Sequence, residues 1–315
     1  MIAFEKVIRT EKPDCVVVVG DVNATLACSV TAKKELVKVC HIEAGLRSGD
    51  MTMPEEINRL VTDRLSDMLL APDLLSVQNL KAEGIPDSRI RFVGNIMIDT
   101  LEGNRLKASK IDINKIIDQN LIDRARGVRG AASGIMHPED LTLNIETDNF
   151  ALLTIHRPSN VDDENKFRSL LRVMIEEFPD NFPVIWPVHP RARKNMERFG
   201  FFKEIADNHK IILLEPLGYL EMLRLNMSAK IMLTDSGGLQ EECTVLGTPC
   251  LTLRSNTERP VTLQEHGGAS VLVGNDIDRI RQEIPAALNK PRTPYRPPLW
   301  DGKTAERCLK AILEA

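Results

Sequence analysis

The chain has 315 residues, 43% of them hydrophobic and 27% charged, with a formal net charge of -4. That length suits about two domains with a core large enough to fold without staples. The composition excludes a disordered or collagen-like chain, and the mild negative charge gives no global pull toward nucleic acid or an anionic membrane. No apolar run approaches the roughly 20 residues that span a bilayer, and no signal-peptide pattern opens the chain, so a cytoplasmic protein is expected. The six cysteines, Cys15, Cys28, Cys40, Cys243, Cys250 and Cys308, form no C-x-x-C pair and read as free thiols.

In chain order, residues 16–19 are an unbroken β-branched run ending in Gly20-Asp21, which predicts a buried strand of a parallel sheet. Helical character follows over 25–38, then a strand over 38–42 and the loop Glu43-Ala44-Gly45. A helix is predicted over 54–70, with Pro54 in its first turn and carboxylates close behind. Strands at 68–71 and 90–93 complete a βαβ series. Residues 104–148 mix charge, glycine and short apolar clusters, and predict a connection with a helical embellishment. A second α/β series places strands at 150–155, 184–188, 211–214, 231–233, 249–253 and 269–273. Helices over 162–178, 220–227 and 238–245 separate several of them. A proline-rich segment, 291–298, leads to a terminal helix over 304–315. The resulting domains are 1–103, 149–290 beyond the connection at 104–148, and a tail, 291–315, that crosses back to the first domain.

In open α/β sheets, ligands bind beyond the carboxyl ends of the strands. Asp21, Glu43, His156, His189 and Asp235-Ser236-Gly237-Gly238 all fall there. Each alone has an ordinary structural reading: a helix cap, a loop carboxylate, a satisfied histidine. Several at successive strand ends are harder to dismiss. The most informative segment runs from Thr234 to Glu242, where a strand ends, two glycines allow close backbone approach, and a helix begins with free N–H donors. Such a terminus binds diphosphate. Glu242, one turn in, is placed to reach a ribose hydroxyl. Arg254 and Thr257-Glu258-Arg259-Pro260 add cationic groups after the next strand. The chain has no P-loop, no G-x-G-x-x-G fingerprint and no H-E-x-x-H helix. His41-Ile42-Glu43 lacks the cysteine pair that would complete a zinc deaminase signature, so metal chemistry is disfavoured.

Six motifs occur in one order: Gly20-Asp21, His41-Ile42-Glu43-Ala44-Gly45-Leu46-Arg47-Ser48, Pro54-Glu55-Glu56-Ile57-Asn58-Arg59, Thr154-Ile155-His156-Arg157, Asp235-Ser236-Gly237-Gly238-x-Gln240-Glu241-Glu242 and Thr257-Glu258-Arg259-Pro260. The set resembles the UDP-N-acetylglucosamine 2-epimerase family of the non-hydrolysing type, from about residue 4 to the end. The resemblance implies an α/β, GT-B-like architecture, two Rossmann-like domains facing a cleft, with the first incomplete at its N-terminus. It implies a UDP-N-acetyl sugar as substrate, no cofactor, no metal, no nucleic-acid or membrane partner, a homodimer, and a supply of cell-surface polysaccharide precursors. The family exchanges UDP-GlcNAc and UDP-ManNAc by eliminating UDP to give 2-acetamidoglucal and adding it back.

By motif, Asp21, Glu43 and Glu55 resemble the catalytic carboxylates and His156 the histidine near the diphosphate. Ser236, Gly237, Gly238, Glu242 and Arg259 resemble the UDP-binding groups. Arg157 and His189 match positions that serve an allosteric UDP-GlcNAc site. The sequence departs from the family at His156-Arg157-Pro158-Ser159-Asn160, where many members read H-R-R-E-N, and lacks the G-T-R-P-E loop that opens them. The departure after His156 bears on the allosteric site, and the missing loop implies an exposed apolar edge at 16–19 and little or no turnover by the chain as it stands. An inactive UDP-sugar-binding scaffold, a hydrolysing epimerase that releases ManNAc, and a glycosyltransferase of the same architecture are the rival readings.

Overall fold

Two parallel sheets organise the residues described in this computed structural model, 1–122 and 145–314. They belong to two units. The first comprises Met1–Gly103, Thr257–Val261 and Arg296–Ala315; the second comprises Asn104–Asn256 and Thr262–Tyr295.

In the first unit, β1 (Cys15–Val19), β2 (Lys38–Ile42), β3 (Met68–Ala71) and β4 (Ile90–Phe92) lie in that order, each parallel to the next. Parallel neighbours need a crossover, and helices supply most of them. α1 (Ile2–Glu11) precedes β1, and α2 (Asn23–Lys34), α3 (Pro54–Leu65) and α4 (Leu74–Ala82) link the strands. α5 (Ile96–Ser109) leaves β4 and contains the change of unit at Gly103–Asn104.

Two helices stop earlier than the sequence suggests. α2 ends at Lys34, because Leu36 turns the chain in the left-handed region (φ 61°) and Val37 and Val39 pack into the core beside β1. α3 ends at Leu65, where extended Ser66 releases the backbone into β3, so residues 68–71 serve the strand alone.

The strand at 16–19 also differs from expectation. It is not buried on both faces: Val16 and Val18 are buried, whereas Val17 is 44% and Val19 48% exposed. Among the described residues β1 pairs with β2 alone, so the apolar edge expected there is present. The tail packs on this unit. Trp300 Nε1 donates to Pro72 O (2.9 Å), and the last helix, Thr304–Leu313, starts with Thr304 and Ala305 N–H groups donating to Asp99.

The second unit holds β5 (Ala151–Thr154), β6 (Val184–Pro187), β7 (Ile211–Leu214), β8 (Ile231–Thr234), β9 (Cys250–Thr252) and β10 (Ser270–Leu272), in the order β10-β9-β8-β5-β6-β7. Alternate residues feed cores on opposite faces: Leu153, Trp186, Leu213 and Leu233 on one, Leu152, Ile185, Ile212 and Met232 on the other. This is why the strands read as continuous apolar runs. The strand order reverses between β5 and β8, so the loops after these two strands leave in opposite directions. That divergence is the topological switch point of a doubly wound sheet.

Helices α6 (Ile113–Asn120), α7 (Pro158–Val161), α8 (Glu164–Glu176), α9 (Pro190–Arg198), α10 (Phe202–Ala206), α11 (Tyr219–Ser228), α12 (Gly237–Leu246) and α13 (Ile277–Asn289) complete this unit. Of the expected connection, 104–122 is largely helical and ends with Leu121 bridging Leu214; its part at 123–144 lies outside the described residues. Among the described residues no helix is long and apolar enough to cross a membrane.

Candidate functional site

The switch point gathers the candidate residues of the second unit. The loop after β5 carries His156 and Arg157, and the loop after β8 carries Asp235 and Ser236. Asp235 is fully buried and organises both loops. It accepts hydrogen bonds from the His156 N–H (2.9 Å), the Arg157 N–H (2.8 Å) and Asn160 Nδ2 (3.0 Å), and its Oδ1 lies 2.8 Å from His156 Nδ1. Burial alone would push its carboxyl up; the hydrogen bonds and charge from His156, with those of Arg157 and Asn160, hold it below the usual carboxylate range instead. His156 is thereby oriented, with Nε2 as its second ring nitrogen.

The His189 ring lies 5.1 Å from the His156 ring, centroid to centroid, and its Nδ1 accepts the Arg191 N–H (3.1 Å), which leaves the proton on Nε2. Burial, then neighbouring His156, lower the pKa of His189. A cavity of about 260 Å³ opens here, with His156, His189 and Ser236 on its polar side and Leu217, Met222 and Leu239 on its apolar side.

α12 starts at this cavity. No side chain caps its N-terminus, and the Ser236 N–H turns back to Thr234 Oγ1 (3.0 Å). The first turn, Gly237-Gly238-Leu239, therefore has the polarity that favours an anion. Glu242 is 4% exposed and engages Tyr219 and Asn226. Burial raises its pKa and, with Glu242 beside it, that of Tyr219. Arg254 is buried in the loop after β9.

The first unit brings a different set together beyond the carboxyl ends of β1 and β2. Asp21 and Glu43 are neighbours, and Arg259 Nη2 lies 3.8 Å from Glu43 Oε2. Arg259 reaches this place because Thr257–Val261 belongs to the first unit, which its position between β9 and β10 does not suggest. Burial raises the pKa of Glu43; Arg259 opposes that effect and Asp21 adds to it. Asn58 Nδ2 donates to Asp21 O (2.8 Å), and Arg59 Nε lies 3.5 Å from Asp21 Oδ2.

Glu55 is half-buried in the first turn of α3 and makes no hydrogen bond to Asp21 or Glu43. Its neighbour Glu56 is the buried one, tying Ser48 and Gly49 N–H groups (3.0 Å each) and Arg59 Nη1 (3.2 Å). Sequence reasoning gives Arg59 and Asn160 no role of their own and passes over Asp63. The signal available for Arg59 and Asp63 was polar side chains one helical turn apart, at 56, 59 and 63, on a helix face turned inward. Among the described residues no cluster of histidine, cysteine or carboxylate side chains could hold a metal ion.

A doubly wound switch point with a bare helix N-terminus, accompanied by a second parallel sheet presenting paired carboxylates, defines the GT-B-like class of α/β proteins built from Rossmann-like units. The profile of the UDP-N-acetylglucosamine 2-epimerase family matches residues 1–313, and the chain belongs to that family. It is 38% identical to the UDP-N-acetylglucosamine 2-epimerase of Methanocaldococcus jannaschii over 315 residues, covering 99% of this chain and 78% of that protein. It is 37% identical to the UDP-2,3-diacetamido-2,3-dideoxy-D-glucuronate 2-epimerase of Pseudomonas aeruginosa over 294 residues, covering 92% and 72%. The crystal structure of the Methanocaldococcus jannaschii epimerase in complex with UDP-GlcNAc and UDP superposes with a TM-score of 0.83, covering 100% of this chain and 79% of that one.

Proposed function

We propose that the chain epimerises UDP-GlcNAc and UDP-ManNAc at C2, without a redox cofactor or a metal. The observation that carries this reading is the pairing of Asp21 and Glu43 beside Arg259. The C2 hydrogen has no adjacent carbonyl to acidify it, so its removal must be coupled to loss of UDP from C1. One carboxylate takes the C2 proton, the C1–O bond breaks, and UDP leaves with the bonding pair. Return of UDP to C1, with a proton delivered to the other face of C2, gives the epimer. A buried Glu43 with a raised pKa is predisposed to hold a proton, while the more exposed Asp21 is the candidate to take one. Glu55 is assigned as a third acid/base group.

His156, aligned by Asp235, is assigned to the departing diphosphate. Ser236, Gly237 and Gly238 would hold the diphosphate at the start of α12, Glu242 would meet the ribose, and Arg259 would offset the developing charge. Arg157 and His189 are assigned to a second, regulatory UDP-GlcNAc site, a reading supported by the closeness of the His189 and His156 rings. On this reading residues 1–103 supply the carboxylates and 149–290 the nucleotide site. The family resemblance also favours a cytoplasmic homodimer that feeds polysaccharide synthesis. The similarity to a diacetamido-glucuronate epimerase leaves the UDP-N-acetyl sugar as the substrate class, with UDP-GlcNAc as our choice.

The test separates the two UDP-sugars after incubation of UDP-GlcNAc with the purified chain in deuterium oxide. UDP-ManNAc should form, and deuterium should enter C2. Asp21→Asn, Glu43→Gln and Glu55→Gln should each lower turnover about 10²-fold or more, because an amide cannot carry the proton. Turnover like that of the wild type in all three would sink the carboxylate mechanism.

A further inference from the structure

His41 is a fully buried polar residue in the middle strand-end of the first unit, and the acid/base scheme gives it no task. Its Nε2 lies 2.9 Å from Gly20 O. A carbonyl only accepts, so this nitrogen carries a proton. Its Nδ1 lies 2.6 Å from Oδ1 of Asp63, a residue of α3 that is itself buried. The other carboxylate oxygen, Oδ2, accepts the Gly45 N–H (3.0 Å) and lies 2.8 Å from Arg47 Nη1. Burial works to raise the Asp63 carboxyl, and the contacts from His41 and Arg47 outweigh it, so the group is held ionised.

The connections have a direction. Gly20 immediately precedes Asp21, and Gly45 lies two residues after Glu43. His41 Nε2 and Asp63 Oδ2 are thus committed to the backbone of the two loops that carry the carboxylate pair, and His41 Nδ1 and Asp63 Oδ1 join the two side chains to each other. The second loop needs such bracing. Glu43 sits at φ 71°, a left-handed conformation that a residue with a side chain rarely adopts and that persists only when its surroundings fix it. A buried carboxylate contributes little stability over apolar packing of the same volume; what it supplies is a defined geometry.

We propose that His41, acting through Asp63, is a positioning residue that locks the Asp21 and Glu43 loops into one fixed pair. The inference rests on the epimerase reading for its catalytic consequence, since acid/base groups lose rate steeply when displaced by about 1 Å.

The test uses the full chain with His41→Gln and Asp63→Asn. Neither glutamine nor asparagine matches the pair: glutamine carries its donors on one nitrogen instead of on two sides of a ring, and the single amide oxygen of asparagine cannot receive from His41, Gly45 and Arg47 at once. In both variants kcat for UDP-GlcNAc should fall about 10–100-fold, with KM changed less than about threefold. The carbon-13 carboxyl titration of Glu43 should move back toward the ordinary glutamate value. The groups facing Glu43 are Asp21, Arg259, His41 and Glu258; His41 lowers the Glu43 pKa and either substitution weakens that influence, which by itself would move the titration upward, so a movement downward reports displacement of the loop. Wild-type kcat together with an unmoved Glu43 titration would overturn the proposal. A titration that moves in a chain whose wild type converts no UDP-GlcNAc would leave the positioning role standing and remove the epimerase reading. If a variant does not fold, hydrogen exchange at Gly45 in the wild type decides: strong protection supports the lock, and exchange at the solvent rate overturns it.

Discussion

Asp235 illustrates how a single side chain fixes a site from beneath. It has no access to solvent, and its carboxylate holds two loop backbones, an asparagine and the histidine assigned to the diphosphate. Its pKa in the folded chain lies below the ordinary value, so folding favours the ionised form. The associated stability is fully present above the ordinary carboxylate range and is lost as pH falls through the depressed value. Asp235→Asn keeps the shape but turns an amide toward backbone donors, and should cost about 1.5–3 kcal/mol at neutral pH. Urea unfolding followed by Trp186 fluorescence, in a Trp300→Phe background, measures this in the second unit. The gap between wild type and variant should narrow on acidification below about pH 4, and a gap independent of pH would show that the carboxylate charge is not what holds the loops. The candidates legible in the sequence at this scale are those that follow strand ends, because position after a strand is a property of the local sequence. Their partners are not: Asp63 is 22 residues from His41, and Arg259 is more than 200 from Glu43. Only the folded sheet makes them neighbours.

At the scale of elements, the strands were legible to within a residue or two, since buried parallel strands are apolar without interruption. Helix ends were less so. The expected helix over 54–70 ran through Ser66 because nothing in an apolar pattern marks where α3 stops and β3 begins. The loop from β2 to α3 was recognised by its residues, yet its geometry could not be. Gly45 there has φ 87°, and a Cβ would lie 2.4 Å from the Ser76 carbonyl oxygen, a backbone atom that cannot step aside. Gly45→Ala therefore combines a strained backbone with a clash, and should destabilise the first unit by about 1–3 kcal/mol or more. It should also displace the N–H that Asp63 receives. Thermal unfolding followed by Trp300 fluorescence, in a Trp186→Phe background, checks the first effect. A midpoint equal to that of the parent would mean that the loop has room the packing denies.

The two units differ in how completely their sheets are protected. Both sheets are open; among the described residues isolated bridges add Leu121 beside β7 and Leu263 beside β10 at the ends of the second, whereas β1 at the end of the first pairs with β2 alone. Val17 and Val19 stand on the same face of that strand, both about half exposed, and Val22 follows at 59%. A parallel sheet edge with apolar side chains and unpaired backbone groups is a template for association with another chain. Natural edges are commonly blunted by lysine, and here the strand CVVVV carries no charge at all. Val17→Lys and Val19→Lys place a cation on the exposed face without touching Val16 or Val18, which pack against α1 and α2 in the small core of this unit. Substitutions at such exposed sites usually change stability by no more than about 0.5 kcal/mol, so an effect on association can be separated from an effect on folding. Static light scattering across a concentration series should show the mass of the parent chain rising with concentration, and that of both variants rising less at equal concentration. Equal growth in parent and variants, with midpoints unchanged, would place the sticky surface elsewhere and leave the β1 edge a tolerated exposure.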